Sequence, residues 1–364
     1  MKYCEEFRSA DGASALISEL NRIPAPDRKY KVMEVCGGHT VSIFKYGIRQ
    51  VLPDWMELVS GPGCPVCVTP VSYIDRAIAL AGEENVIIAS FGDLMRVPGT
   101  ESSLLQVRAE GADVRMCYSP TDALKIAKDE PDQRVVFLGI GFETTAPTTA
   151  SVVKQAQEQG LQNFYVLSAH KTMPNAMRAL VSSGELGIDA FVCPGHVSTI
   201  TGTGMYDFLT KEFSTPCVVS GFEPLDILHS LVYIARQFSE SRSEVENTYS
   251  RVVVPEGNAK AQALLQEVFD EVDMEWRGFG SIPKSGLVLS DQYRHFDAER
   301  EIAVSLPESR EHPGCICGEI MRGVKTPKDC SLFGTVCTPD SPTGPCMVSD
   351  EGSCATYFQY ARES

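Results

Sequence analysis

The chain has no apolar run long enough to span a bilayer. Its start, Met1-Lys2-Tyr3-Cys4-Glu5-Glu6-Phe7-Arg8, has no apolar core of signal-peptide length. A cytoplasmic protein with no membrane partner is expected. Positive charge is also scarce: 32 Lys and Arg stand against 48 Asp and Glu, a net charge of −16. A phosphate backbone is gripped by clustered Lys and Arg, so the balance argues against a nucleic-acid partner. The excess acid serves solubility or steers a basic partner. No Gly/Lys/Ser loop of the Walker kind is present. Gly139-Ile140-Gly141-Phe142-Glu143-Thr144 begins like a dinucleotide fingerprint, but Thr144 replaces the last glycine and Pro147 interrupts the helix that should follow. Both departures argue against a nucleotide cofactor.

What the chain does have is cysteine, 13 of them in 364 residues. In a cytoplasmic protein they point away from a disulfide framework and toward metal, cluster or redox chemistry. The length suggests two or three domains at roughly 100–200 residues each, and 43% hydrophobic residues suffice for packed cores. Continuously apolar runs at 31–35, 55–60, 86–91, 134–140, 164–168, 190–193 and 217–220 read as strands buried on both faces. Helical spacing lies between several of them and recurs at 11–24, 225–242 and 259–272. The fold class is therefore α/β, with parallel sheets covered on both sides. Val35-Cys36-Gly37-Gly38-His39 is echoed by Val192-Cys193-Pro194-Gly195-His196, and Leu58-Val59-Ser60-Gly61 by Val218-Val219-Ser220-Gly221. These echoes suggest two related α/β domains, at 29–130 and 131–245, after an N-terminal helical segment at 1–28. From Trp276 the texture turns Gly- and Pro-rich, which makes 246–364 a loop-rich C-terminal domain in need of a metal staple.

The chemistry-bearing residues sit in Gly/Pro loops entered from short apolar runs. Cys36 and His39 could act as nucleophile and base or as two metal ligands, and Gly37-Gly38 weaken the bland reading of a buried core pair. Cys64-Pro65-Val66-Cys67 is a C-x2-C with an internal proline, the form of a dithiol/disulfide couple. No second C-x2-C exists to complete a zinc site. Asp93, at the end of a strand, belongs to the same sheet edge or is a solvated turn residue. His196 is a second-site imidazole or a relic of the duplication. Six cysteines close the chain, Cys315, Cys317, Cys330, Cys337, Cys346 and Cys354; by spacing alone they suit structural zinc and an iron–sulfur cluster about equally.

Several of these segments together resemble one family, the hydrogenase maturation factor HypD. They are Cys36-Gly37-Gly38-His39-Thr40, Gly61-Pro62-Gly63-Cys64-Pro65-Val66-Cys67, Phe91-Gly92-Asp93-Leu94-Met95-Arg96-Val97-Pro98-Gly99, Gly141-Phe142-Glu143-Thr144-Thr145, Pro194-Gly195-His196-Val197-Ser198 and Met347-Val348-Ser349-Asp350-Glu351-Gly352. The resemblance implies a scaffold on which the Fe(CN)2(CO) group of [NiFe] hydrogenases is assembled, working with a HypC-type small chaperone and a HypE-type cyanide donor. It implies two related α/β domains and a third carrying a [4Fe-4S] cluster. Cys36 would bind the nascent iron, and Cys64 and Cys67 would form a redox pair near it. The family's cluster pattern, C-x12-C-x6-C-x16-C, falls on Cys317, Cys330, Cys337 and Cys354 and leaves Cys315 and Cys346 over. Cys4, Cys117, Cys193 and Cys217 would be structural. A cluster-dependent protein disulfide reductase and a zinc-stapled interaction module are the alternatives.

Overall fold

The computed structural model describes residues 5–361, so Cys4 lies outside the described residues. Among the described residues eleven strands carry the fold. In chain order they are β1 (Tyr30–Glu34), β2 (Met56–Ser60), β3 (Val86–Ser90), β4 (Val114–Met116), β5 (Arg134–Gly141), β6 (Phe164–Lys171), β7 (Ala190–Pro194), β8 (Cys217–Ser220), β9 (Val245–Asn247), β10 (Phe269–Trp276) and β11 (Gly280–Leu289). Two sheets form, in the orders β2-β1-β7-β8-β9 and β10-β11-β6-β5-β3-β4. The first is wholly parallel; the second is parallel except where β11 runs against both β6 and β10. The architecture is α/β with a loop-rich C-terminus, as the strand runs require.

The sheets do not respect the boundaries expected at 29–130 and 131–245. Each sheet takes strands from both spans, because Val32 of β1 pairs with Ala190 of β7 and Ile88 of β3 pairs with Val136 of β5. The chain crosses from the first sheet to the second, returns to the first with β7, and ends in the second with β10 and β11. Both echoed pairs consequently lie side by side in one sheet, β2-β1 next to β7-β8. The N-terminal helix Ala10–Arg22, capped by Ser9, belongs to this sheet too. Its Leu20 joins Val32, Leu58, Val192, Val218 and Leu231 in one core, and its Glu19 pairs with Arg236.

The helix expected at 259–272 ends at Val268. From Phe269 the chain is β10, hairpinned to β11, which bonds to β6 through Gly286–Lys171 and Leu287–His170. The free edge of β6 draws those residues into the sheet, and packing overrides local propensity. Beyond Glu301 the described residues hold only short helices, among them Cys317–Met321 and Ser353–Tyr360. This tail is no satellite: Cys317, Met321 and Met347 share a continuous core with Met33 and Phe191 of one sheet and Leu138 of the other. Among the described residues no helix is long and apolar enough to cross a membrane.

Candidate functional site

In an open parallel sheet a crevice forms outside the strand C-termini where successive connections leave in opposite directions. The first sheet has this point between β1 and β7, since β2 flanks one and β8 the other; the second has it between β3 and β5. Cys36 and His39 follow β1, and Gly195 and His196 follow β7. Phe91-Gly92-Asp93 follow β3, and Phe142-Glu143 follow β5. Four of the sequence motifs therefore stand at the two switch points.

Cys36 caps the helix Gly37–Lys45 and is half-buried. Burial, then the neighbouring Glu351 carboxyl, pushes its thiol up to about 12. The Cys64 loop lies directly against it. Gly37 N–H donates to Gly63 O at 3.3 Å, and a Cβ on Gly63 would meet Cys36 Cα, C and N at 2.4–2.5 Å. Beneath both, Glu34 is fully buried. One of its carboxylate oxygens accepts from Thr40 Oγ1 at 2.7 Å, the other has no partner, and burial raises the group to about 7.

His39 is not arranged as a base for Cys36. Its Nε2 donates to the carbonyls of Gly221 (3.0 Å) and Ser220 (3.3 Å), its Nδ1 is buried without a partner, and burial lowers it to about 4. Among the described residues no hydrogen bond joins it to the Cys36 thiol. Both imidazoles of the echoed motif instead stack on Phe222, His39 at 4.6 Å and His196 at 3.9 Å between centroids. Asp93 is exposed on the short helix Gly92–Met95 and lies within electrostatic range of Glu351. The backbone and Cβ of Glu351 in turn pack on Gly37. The tail segment around Glu351 thus joins the two crevices, helped by Arg96, which donates to Pro339 O (3.2 Å) and Val348 O (2.8 Å).

Cys64 caps the helical turn Pro65–Val68, and its Sγ accepts from Cys67 N–H at 3.3 Å. Burial first of all drives the Cys67 thiol well above its usual value, and that thiol lies against Cys346. Cys346 in turn lies against Cys317, which is 3.2 Å from Cys315. Cys317, Cys330, Cys337 and Cys354 line one small cavity together with Cys315 and the apolar Ile316, Ile320, Leu332, Phe333 and Met347. Gly344 forms part of the cradle, for a Cβ there would strike the sulfurs of Cys315 and Cys317 at 2.6 and 2.7 Å. A small, largely apolar cavity with several thiols on its wall is compatible with an iron–sulfur cluster. Among the described residues no three His, Cys, Asp or Glu side chains gather as a single-ion site.

Sequence reasoning passed over Phe222 and the individual role of Glu351, and it left Cys346 over from the cluster pattern. Phe222 follows the echoed Ser220-Gly221, and Glu351 lies within a motif, so both carried a signal. Cys346 stood among the six tail cysteines, but its place between Cys67 and Cys317 is a matter of packing.

At the second switch point Glu143 is buried. Its Oε1 accepts from Met173 N–H at 2.8 Å, its Oε2 has no partner, and burial raises it to about 7 from 4.5. Such a carboxyl favours the folded state below pH 4.5, and that advantage is lost as pH rises through 7. Glu143→Gln is therefore expected to change little at pH 4.5 and to stabilise at pH 8, with a ceiling of about 3 kcal/mol. Thermal unfolding of the two chains at both pH values checks this; an equal difference at both would contradict it.

The whole chain can be compared with known proteins on this footing. Residues 11–361 match the family model HypD, described as the hydrogenase formation hypA family. The hydrogenase maturation factor HypD of Azotobacter vinelandii is 47% identical over 370 residues, covering all of this chain and 98% of its own length. That of Escherichia coli is 45% identical over 369 residues, covering 100% and 99%. A putative hydrogenase expression/formation protein of Methanocaldococcus jannaschii is 47% identical over 349 residues, covering 95% and 96%. With its motifs gathered at two facing strand ends and its identity sustained along the full length, the chain belongs to the HypD family of hydrogenase maturation factors.

Proposed function

We propose that this chain is the scaffold on which the Fe(CN)2(CO) group of a [NiFe] hydrogenase is assembled. The cargo iron is held at the Cys36 thiolate. A soft thiolate suits a low-spin ferrous ion that also carries cyanide and carbon monoxide. Cys36 is half-buried just beyond the end of β1, where a small HypC-type chaperone would add a ligand and a HypE-type donor would deliver cyanide. The observation that carries the reading is the unbroken line of thiols from the Cys36 loop to the cavity, Cys64–Cys67–Cys346–Cys317.

The residues that would hold a [4Fe-4S] cluster are Cys317, Cys330, Cys337 and Cys354. When bound, that group supplies single electrons, two of which, with two protons, return a Cys64–Cys67 disulfide to its thiols. The protein's part is to keep Cys67 buried and close to Cys346, and to set the Cys64 loop on the Cys36 backbone. Cys64→Ala is expected to abolish assembly of the iron–cyanide group while leaving the visible absorbance of the cluster in place. Infrared bands of bound cyanide and carbon monoxide on anaerobically purified protein read the first, and an optical spectrum the second. Unimpaired assembly in Cys64→Ala would sink the role of the thiol pair. Zinc in place of iron and sulfide would sink the cluster.

A further inference from the structure

The turn between β10 and β11 does more than close a hairpin. Gly278, at φ +80°, packs so tightly on the helix Cys317–Met321 that a Cβ would stand 2.3 Å from Gly318 Cα, and Arg322 donates to Gly278 O. This contact places Arg277 between the C-x2-C turn and the cysteine-lined cavity. Arg277 N–H donates to Val68 O and its Nε to Thr69 O, both at 2.9 Å, at the carbonyl end of the turn that carries Cys67. Its guanidinium also lies within electrostatic range of Cys315 on the cavity wall. The residue is 5% exposed. Its Nη2 is buried with no partner, and among the described residues its Nη1 reaches only Glu311, at 3.5 Å.

A guanidinium stays charged at any pH the protein meets, and a buried cation whose charged partner is a single loose one is costly unless a further negative group compensates it. One weak ion pair to a half-exposed Glu311 does not do so. A thiolate-held cluster does, because its net charge is negative and becomes more so by one on reduction. We propose that Arg277 is a positioning residue for the redox function, stabilising the reduced state of the cluster across the Cys315 wall while anchoring the Cys67 turn. The inference rests on the cluster reading above. A purely structural guanidinium, serving only the Thr69 carbonyl, would change stability and leave the potential alone.

The test is a reductive titration of the full-length chain, made anaerobically, reconstituted with iron and sulfide and followed by visible absorbance. Arg277→Gln is expected to move the midpoint to more negative potential, with Arg277→Lys between it and the parent. Glu311→Gln, which removes the competing charge from an exposed position, is expected to move it the other way. Unchanged midpoints in these variants overturn the proposal. If Arg277 variants fail to fold, an unchanged midpoint in Glu311→Gln alone overturns it. Failure of the parent chain to take up a cluster is a separate result, visible before any variant is made, and counts against the functional reading itself.

Discussion

Gly63→Ala is expected to cost the protein its iron–cyanide assembly while sparing the rest of the fold. The added methyl would sit 2.4–2.5 Å from three backbone atoms of Cys36, none of which can rotate away. Relief requires the Cys64 and Cys36 loops to part by a distance that also breaks the Gly37 N–H to Gly63 O bond at 3.3 Å. Overpacking of this kind costs about 1–3 kcal/mol. The functional loss should be larger, since a displacement of ~1 Å at a reacting centre can cost about 100-fold. Gly204→Ala is the control: a Cβ there meets nothing within 4 Å, and both stability and assembly should be unchanged. Thermal unfolding and the infrared bands of cyanide and carbon monoxide measure the two effects. Full assembly in Gly63→Ala would show that the loops act independently.

Cys330→Ala is expected to bleach the protein and loosen its tail. Cys330 is one of the thiols on the cavity wall, and the segment 302–361 contains only short helices and turns. Cluster binding to such a segment is itself a source of folding free energy, as metal binding is in small metal-stapled domains. Loss of one ligand should therefore remove the visible absorbance and open 302–361 to protease. Strand pairings that do not involve the tail, such as β1 with β2 and β5 with β6, should keep 30–290 folded. Cys315→Ala and Cys346→Ala are expected to keep their colour. If Cys330→Ala keeps it as well, Cys330 is not a ligand and the choice of four falls.

Much of the protein could be read locally. A buried parallel strand declares itself as a continuous apolar run, and a loop that must turn at once declares itself by glycine and proline, so Val86–Ser90 and the Cys36 and Cys64 loops were legible. The two echoed segments were legible as well, although what they mean was not. Duplicated strands can build two sheets or the two halves of one, and pairing between Val32 and Ala190 spans most of the chain's first half, where no local pattern reports it. Phe269–Trp276 shows the same limit at closer range. Helical spacing continues past Val268, yet the chain extends there because β11 and the open edge of β6 offer it hydrogen bonds.

The amino-acid order alone determined the α/β class, the cysteine-rich tail, the motifs and the family they point to, since all of these depend on residue type and short-range spacing. Folding in three dimensions decided which strands share a sheet, that His39 turns to Phe222 and carbonyl oxygens rather than to Cys36, and that Cys346 stands between Cys67 and Cys317. It also decided that Glu34, Glu143 and Arg277 keep polar atoms buried without partners. Each of these depends on what a distant segment brings to the same place, and a linear spacing carries no record of that.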